Sequence, residues 1–200
     1  QMFNHIKDCS MKGILLSFAL MLSFLASIAQ SNGEHLDFRG VPIDGSLDEY
    51  VSEMKSAGFA YLGDKDGIAV MRGEFAGVKG CIVGISTNSG KVSSVSVLFP
   101  EDNEWSSLEL RYNHLKTKLI KKYGNPTECI EDFNGYKVLD DNSSRLRSQK
   151  MDNCIYISTF ETPAGYIRLS LDHQGMGSCY AKIQYLDKIN MGSAISVHNK

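Results

Sequence analysis

The sequence predicts an α+β fold: an antiparallel sheet with two amphipathic helices packed on one face. Three observations carry that prediction. Two helix signals each stop at a glycine. Short runs of alternating apolar and polar residues follow each of them. Turns of hairpin length, rich in Gly, Asn and Asp, separate those runs.

The elements follow in order. Residues 36–41 alternate as a short strand, which Pro42 and Gly45 end. Ser46-Leu47-Asp48-Glu49 is a capping box, in which a hydroxyl and a carboxylate satisfy each other's backbone amides. Leu47, Tyr50, Val51 and Met54 then share one helical face, and Gly58 supplies a left-handed stop, so residues 46–57 form a helix. Strand runs follow at 59–62, 68–75, 81–85 and 92–99, with turns at 63–67 and 87–90. Consecutive hairpins imply an antiparallel meander. A second helix spans about 105–123, because Leu108, Tyr112, Leu115, Leu119 and Tyr123 recur at steps of three and four; Gly124 and Pro126 end it. Further strand runs occupy 128–133, 154–160, 166–173 and 179–186.

This order repeats. A helix ending in Gly58 precedes about three strands, and a helix ending in Gly124 precedes about four. Residues 30–187 are therefore either one α+β domain or a tandem α-β-β-β duplication with halves at 34–99 and 104–187. In both, helix stripes cover one face of the sheet. Residues 188–200 have little to bury and are expected to be a flexible tail.

The first segment reads as an address. Residues 11–29, MKGILLSFALMLSFLASIA, place Lys12 before an apolar run and end in Ser27-Ile28-Ala29, the pattern of a cleavable signal peptide. The apolar part is shorter than a membrane span. Gln30 and Ser31 stand where a lipoprotein would carry Cys, so no lipid anchor is expected. Residues 1–10 read as an upstream extension. The expected location is exported, periplasmic or extracellular, with membrane contact only through the cleaved leader.

Removing 29 of the 200 residues leaves 171, with 19 basic and 22 acidic side chains, a net charge of −3. That balance argues against a nucleic-acid partner, which calls for a basic stripe. Arg111, Lys116, Lys118, Lys121 and Lys122 read instead as the solvated side of the second helix. Four cysteines remain: Cys81, Cys129, Cys154 and Cys179. Export permits disulfides among them in three pairings, while their strand context equally suits buried thiols. No CxxC occurs.

Motifs for chemistry fail on spacing. Gly84-Ile85-Ser86-Thr87-Asn88-Ser89-Gly90-Lys91 has five residues between its glycines, Val92 in place of Ser/Thr, and no helix after it, so it is a hairpin turn and not a phosphate loop. Asp64-Lys65-Asp66-Gly67 lacks the further ligands of a calcium loop. His35, His114, His173 and His198 show no metal-pair spacing. No cofactor or metal is expected. His173 with Cys154 or Cys179 is the remaining catalytic candidate, and it needs an exposed, acidified thiol. Trp105, Tyr112 and Tyr123 could form a sugar platform, but their helical spacing assigns them to the core. The long polar stretch 134–153 is the expected partner-binding loop, with Tyr136, Leu139 and Leu146 as its apolar contacts.

Lys122-Tyr123-Gly124-Asn125-Pro126 followed by a meander resembles the helix-then-meander units of the β-lactamase-inhibitor-protein-like and SmpA/BamE-like groups of exported bacterial proteins. Phe38-Arg39-Gly40-Val41-Pro42-Ile43-Asp44-Gly45-Ser46-Leu47 is similar to the N-terminal stretch of exported Gram-negative proteins of unknown function. The resemblance implies binding to other proteins and supplies no site residues. The expected function is thus a non-catalytic exported binding module. The alternative is a small hydrolase or carbohydrate-acting enzyme whose site forms no motif.

Overall fold

A computed structural model describes residues 34–133 and 141–192. The signal-peptide reading and the 1–10 extension lie outside the described residues. The chain begins with a small hairpin, β1 (Asp37–Phe38) and β2 (Val41–Pro42), where a single strand was expected. Arg39 and Gly40 break it: both take positive φ, 59° and 80°, as a tight two-residue turn requires.

Helix α1 (Leu47–Ser56) forms as expected. Glu49 N donates to Ser46 Oγ at 3.4 Å and Ser46 N donates to Glu49 Oε2 at 3.2 Å. Its end is a Schellman turn: Phe59 N reaches Met54 O at 3.1 Å and Gly58 N reaches Lys55 O at 3.0 Å, with Gly58 at φ 95°. Four strands follow as a meander: β3 (Ala60–Lys65), β4 (Ile68–Phe75), β5 (Val78–Asn88) and β6 (Lys91–Leu98). Helix α2 (Trp105–Tyr123) buries Trp105, Leu108, Tyr112, Leu115 and Leu119. At about 1.5–3 kcal/mol per buried large side chain, this stripe contributes roughly 10 kcal/mol before chain entropy is charged against it. The second meander is β7 (Glu128–Phe133), β8 (Cys154–Thr162), β9 (Gly165–Gln174) and β10 (Ser178–Asp187).

The two meanders make one antiparallel eight-stranded sheet in the order β3-β4-β5-β6-β10-β9-β8-β7. Each half is a helix followed by four strands, so the four strand runs read in the first half all form and its helix precedes four strands rather than about three. Their last strands meet at the centre, with Ser96 opposite Gln184. Pairing β6 to β10 antiparallel relates the halves by an approximate twofold axis through this seam. The symmetry is broken between β7 and β8. There the tight Asp66-Gly67 turn of the first half is replaced by a longer stretch that includes α3 (Asn142–Lys150).

Over the described part of the expected polar loop, residues 141–153, that helix replaces it, while 134–140 lie outside the described residues. Asp141 caps the helix, accepting from Ser144 N at 2.9 Å, and Gln149 Nε2 donates to Leu171 O at 3.3 Å beneath it. Of the expected flexible tail, 188–200, only 188–192 lie among the described residues, and there it differs. Residues 188–191 form α4 (Lys188–Met191), and Asn190 Nδ2 donates to Val92 O at 2.9 Å and to Asp44 Oδ1 at 2.8 Å. Helices α1, α2 and α3 pack on one face of the sheet against Met71, Val83, Val95, Tyr156, Leu169 and Ile183. The basic side of α2 is less free than expected. Arg111 donates to Pro100 O, Lys116 pairs with Glu131, and Lys118 donates to Ala76 O at 2.6 Å.

Candidate binding face

The helices cover one face of the sheet, and among the described residues no helix covers the other. The register fixes what that second face displays. A central row crosses all eight strands: Gly63, Val70, Gly84, Ser96, Gln184, Arg168, Thr159 and Glu128. A flanking row runs Arg72, Ile82, Leu98, Lys182, Ser170, Ile157 and Ile130. The central row sets the small Gly63, Gly84, Ser96 and Thr159 beside the long Gln184, Arg168 and Glu128, and in the flanking row Ile82, Leu98, Ile157 and Ile130 form apolar shoulders. Ile68, 39% exposed, leans over Gly84, and Ile130, 38% exposed, closes the far edge.

Most charges on this face are paired. Lys182 pairs with Asp172, Tyr166 OH donates to Glu161 at 3.3 Å, and Thr159 Oγ1 donates to Glu128 at 3.4 Å. Gln184 Nε2 reaches Ser96 Oγ at 3.5 Å across the seam between the halves. Burial first, then Glu161, raises the Tyr166 phenol, which stays protonated as a donor. Two cations stand apart, the exposed Arg72, which makes no ion pair among the described residues, and the more buried Arg168. Arg168 is half-buried mid-face, its Nε is buried without a hydrogen-bond partner, and its side chain makes no ion pair among the described residues. A buried unmet donor on a cation is costly, and a partner's carboxylate would satisfy it bidentately.

The sequence-predicted candidates fall elsewhere. Tyr136 and Leu139 lie outside the described residues, and Leu146 is half-buried on α3 against the core rather than displayed to a partner. Of the two readings the sequence left open, the structure holds Cys81, Cys129, Cys154 and Cys179 as free thiols. Cys179 pairs with His173 on β9, and continuing the β8–β9 register places Cys154 opposite the same residue. Two strand spacings, about 9–10 Å, then separate Cys154 from Cys179, beyond disulfide reach.

The catalytic candidate also loses its chemistry. Burial pushes the Cys154 thiol up to about 12 and raises Cys179, so neither is an activated thiolate. His173 is engaged at both nitrogens: Nε2 lies 2.9 Å from Asp152 Oδ1 and Nδ1 lies 2.7 Å from Gly175 O. These contacts, the Asp152 hydrogen bond first, raise its pKa. Trp105 and Tyr112 are core residues, stacked edge-on to Tyr156. Among the described residues no cluster of His, Cys, Asp and Glu suits a metal, and no helix is long and apolar enough to cross a membrane.

Sequence reasoning missed this face, although a signal was present. Cys81-Ile82-Val83 and Cys154-Ile155-Tyr156-Ile157 are apolar in both strand phases. Such runs mark strands with two faces to cover, while the helices supply only one cover. Compared with protein-family models, curated proteins and solved structures, the chain shows no match.

Proposed function

We propose that this chain is an exported, non-catalytic binding module that docks a protein partner on the uncovered sheet face. The observation that carries the reading is Arg168, an unpaired, half-buried cation between apolar shoulders at the centre of that face. Interface centres favour this arrangement: a desolvated anchor ringed by apolar contacts, with paired charges at the rim. The partner would bring a carboxylate to Arg168 and apolar side chains to Ile82, Leu98 and Ile157. Export rests on the Lys12, apolar run and Ser27-Ile28-Ala29 pattern, with cleavage after Ala29. The resemblance to exported protein-binding groups points the same way.

The test is affinity isolation from the envelope and secreted fractions of the source cells. It compares the wild type with Arg168→Glu on the face and Lys121→Glu on the helix side. The reading expects one stoichiometric partner, retained by Lys121→Glu and weakened at least about 30-fold by Arg168→Glu, with folding unchanged by circular dichroism. Equal retention by both variants would overturn it.

A further inference from the structure

The helix side of the molecule holds a second feature that the sheet face does not explain. A cleft of about 220 Å³ lies where the β1–β2 turn, the β4–β5 turn and the middle of α2 meet over β10. Its floor is apolar and belongs to the core: Leu115, Leu119, Ile183 and Tyr185 are each at most 6% exposed, and Phe75 closes one side. Its mouth is basic. Arg39, Lys118 and Lys122 line it against the single carboxylate of Asp37.

None of these three cations is neutralised by a carboxylate among the described residues. Lys118 Nζ donates to the Ala76 carbonyl at 2.6 Å, and Lys122 Nζ sits 4.8 Å from the Tyr123 ring centroid. Arg39 makes no side-chain bond among the described residues, and Asp37 Oδ1 instead accepts from Gly40 N at 3.1 Å. The two turns that wall the cleft share an oddity. Arg39 and Ala76 stand at φ 59° and 55°, each just before a glycine. Asn or Asp would take that left-handed position at lower cost. At the back, burial raises the Tyr185 phenol, with the Tyr123 hydroxyl beside it, so Tyr185 remains a neutral donor.

We propose that this cleft binds a small amphiphilic anion: an apolar body on Leu115, Ile183 and Tyr185, and an anionic head between Arg39, Lys118 and Lys122. A carboxylate and a phosphate head share the chemistry that these cations recognise. The volume equals about seven water molecules in the liquid, which suits a short alkyl or aryl group with its head at the mouth. The site is independent of the sheet face, which lies on the other side of the sheet.

The experiment is a titration of the chain from Gln30 onward with octanoate, octyl phosphate and octylamine, followed by amide chemical shifts. Binding of either anion should move the amides of Ala76, Leu115 and Ile183 and leave Ser96 and Arg168 still. The tighter anion identifies the head group. Lys118→Glu/Lys122→Glu should abolish the effect. Arg39→Asn should weaken anion binding several-fold while leaving the fold at least as stable, because Asn tolerates the left-handed turn. That pairing separates a lost ligand contact from a lost fold. Octylamine binding as well as the anions, or no shift with either anion at millimolar concentration, would overturn the proposal.

Discussion

Asp187 is the residue whose loss should cost the fold most per atom removed. Its carboxylate is fully buried and joins the two ends of the described chain. Oδ2 accepts from Leu36 N at 2.7 Å, Oδ1 accepts from Asn190 N at 2.8 Å, and His35 Nδ1 lies 3.1 Å from Oδ1. Asp187→Ala leaves two backbone amides and an imidazole without that acceptor. A buried donor left unmet costs about 1–3 kcal/mol. Leu36 N is buried and takes the upper part of that range, whereas water can reach Asn190 N and His35. The sum is about 3–5 kcal/mol, a large share of the 5–15 kcal/mol typical of a domain. For a chain of this size it corresponds to a fall in Tm of roughly 6–20 °C. Urea unfolding should show a lower midpoint with an unchanged slope. Hydrogen exchange should speed first at Ile43, whose amide donates to Leu36 O at 2.8 Å. Asp187→Asn, which keeps one carbonyl, should cost about half as much. A loss below about 1 kcal/mol for Asp187→Ala would refute the view that this carboxylate latches His35, Leu36 and Asn190 to the end of β10.

Other outcomes follow from single contacts. Gly165→Ala should destabilise by about 2 kcal/mol or more in chemical denaturation, since a Cβ there runs into the Leu186 carbonyl and backbone cannot yield cheaply. Asn190 first, then the Gly45 amide, holds Asp44 down at about 2 from the ordinary 3.8, so its contribution is complete above about pH 4 and lost as pH falls toward 2. Asn190→Ala should flatten that acid limb of the stability curve. His173 has the opposite sign: raised in the fold by Asp152, it stabilises fully below about pH 6.5 and loses that contribution as pH rises through its higher folded value. Asp152→Asn should lower the His173 midpoint in an NMR titration. A thiol reagent applied to the folded chain from Gln30 onward should modify Cys129 rapidly and Cys81, Cys154 and Cys179 only on unfolding, because those three are buried.

Local signals were legible and long-range ones were not. The Ser46–Glu49 box, the α2 stripe and the X-Gly turns act within a few residues, so spacing alone reveals them. The seam between β6 and β10 joins residues nearly ninety positions apart, and no local pattern records it. Helix α3 has no apolar stripe to announce it. Its sequence NSSRLRSQK reads as a loop, and the Asp141 cap and the Gln149–Leu171 bond make it helical. The hairpin at Arg39-Gly40 hid inside an alternating run because Arg is an unusual first residue for that turn. The uncovered sheet face was half visible. Its apolar shoulders are written in runs such as Cys154-Ile155-Tyr156-Ile157, but the isolation of Arg168 emerges only once the register shows which carboxylates are already paired.

The most direct test of docking on the sheet face places a photo-crosslinking amino acid at Ser96 and, separately, at Lys121, in chains expressed in the source cells. Docking on the uncovered face predicts a discrete protein adduct at Ser96 that disappears with Arg168→Glu, and none at Lys121. An adduct at Lys121 with none at Ser96, or a Ser96 adduct indifferent to Arg168→Glu, would contradict it.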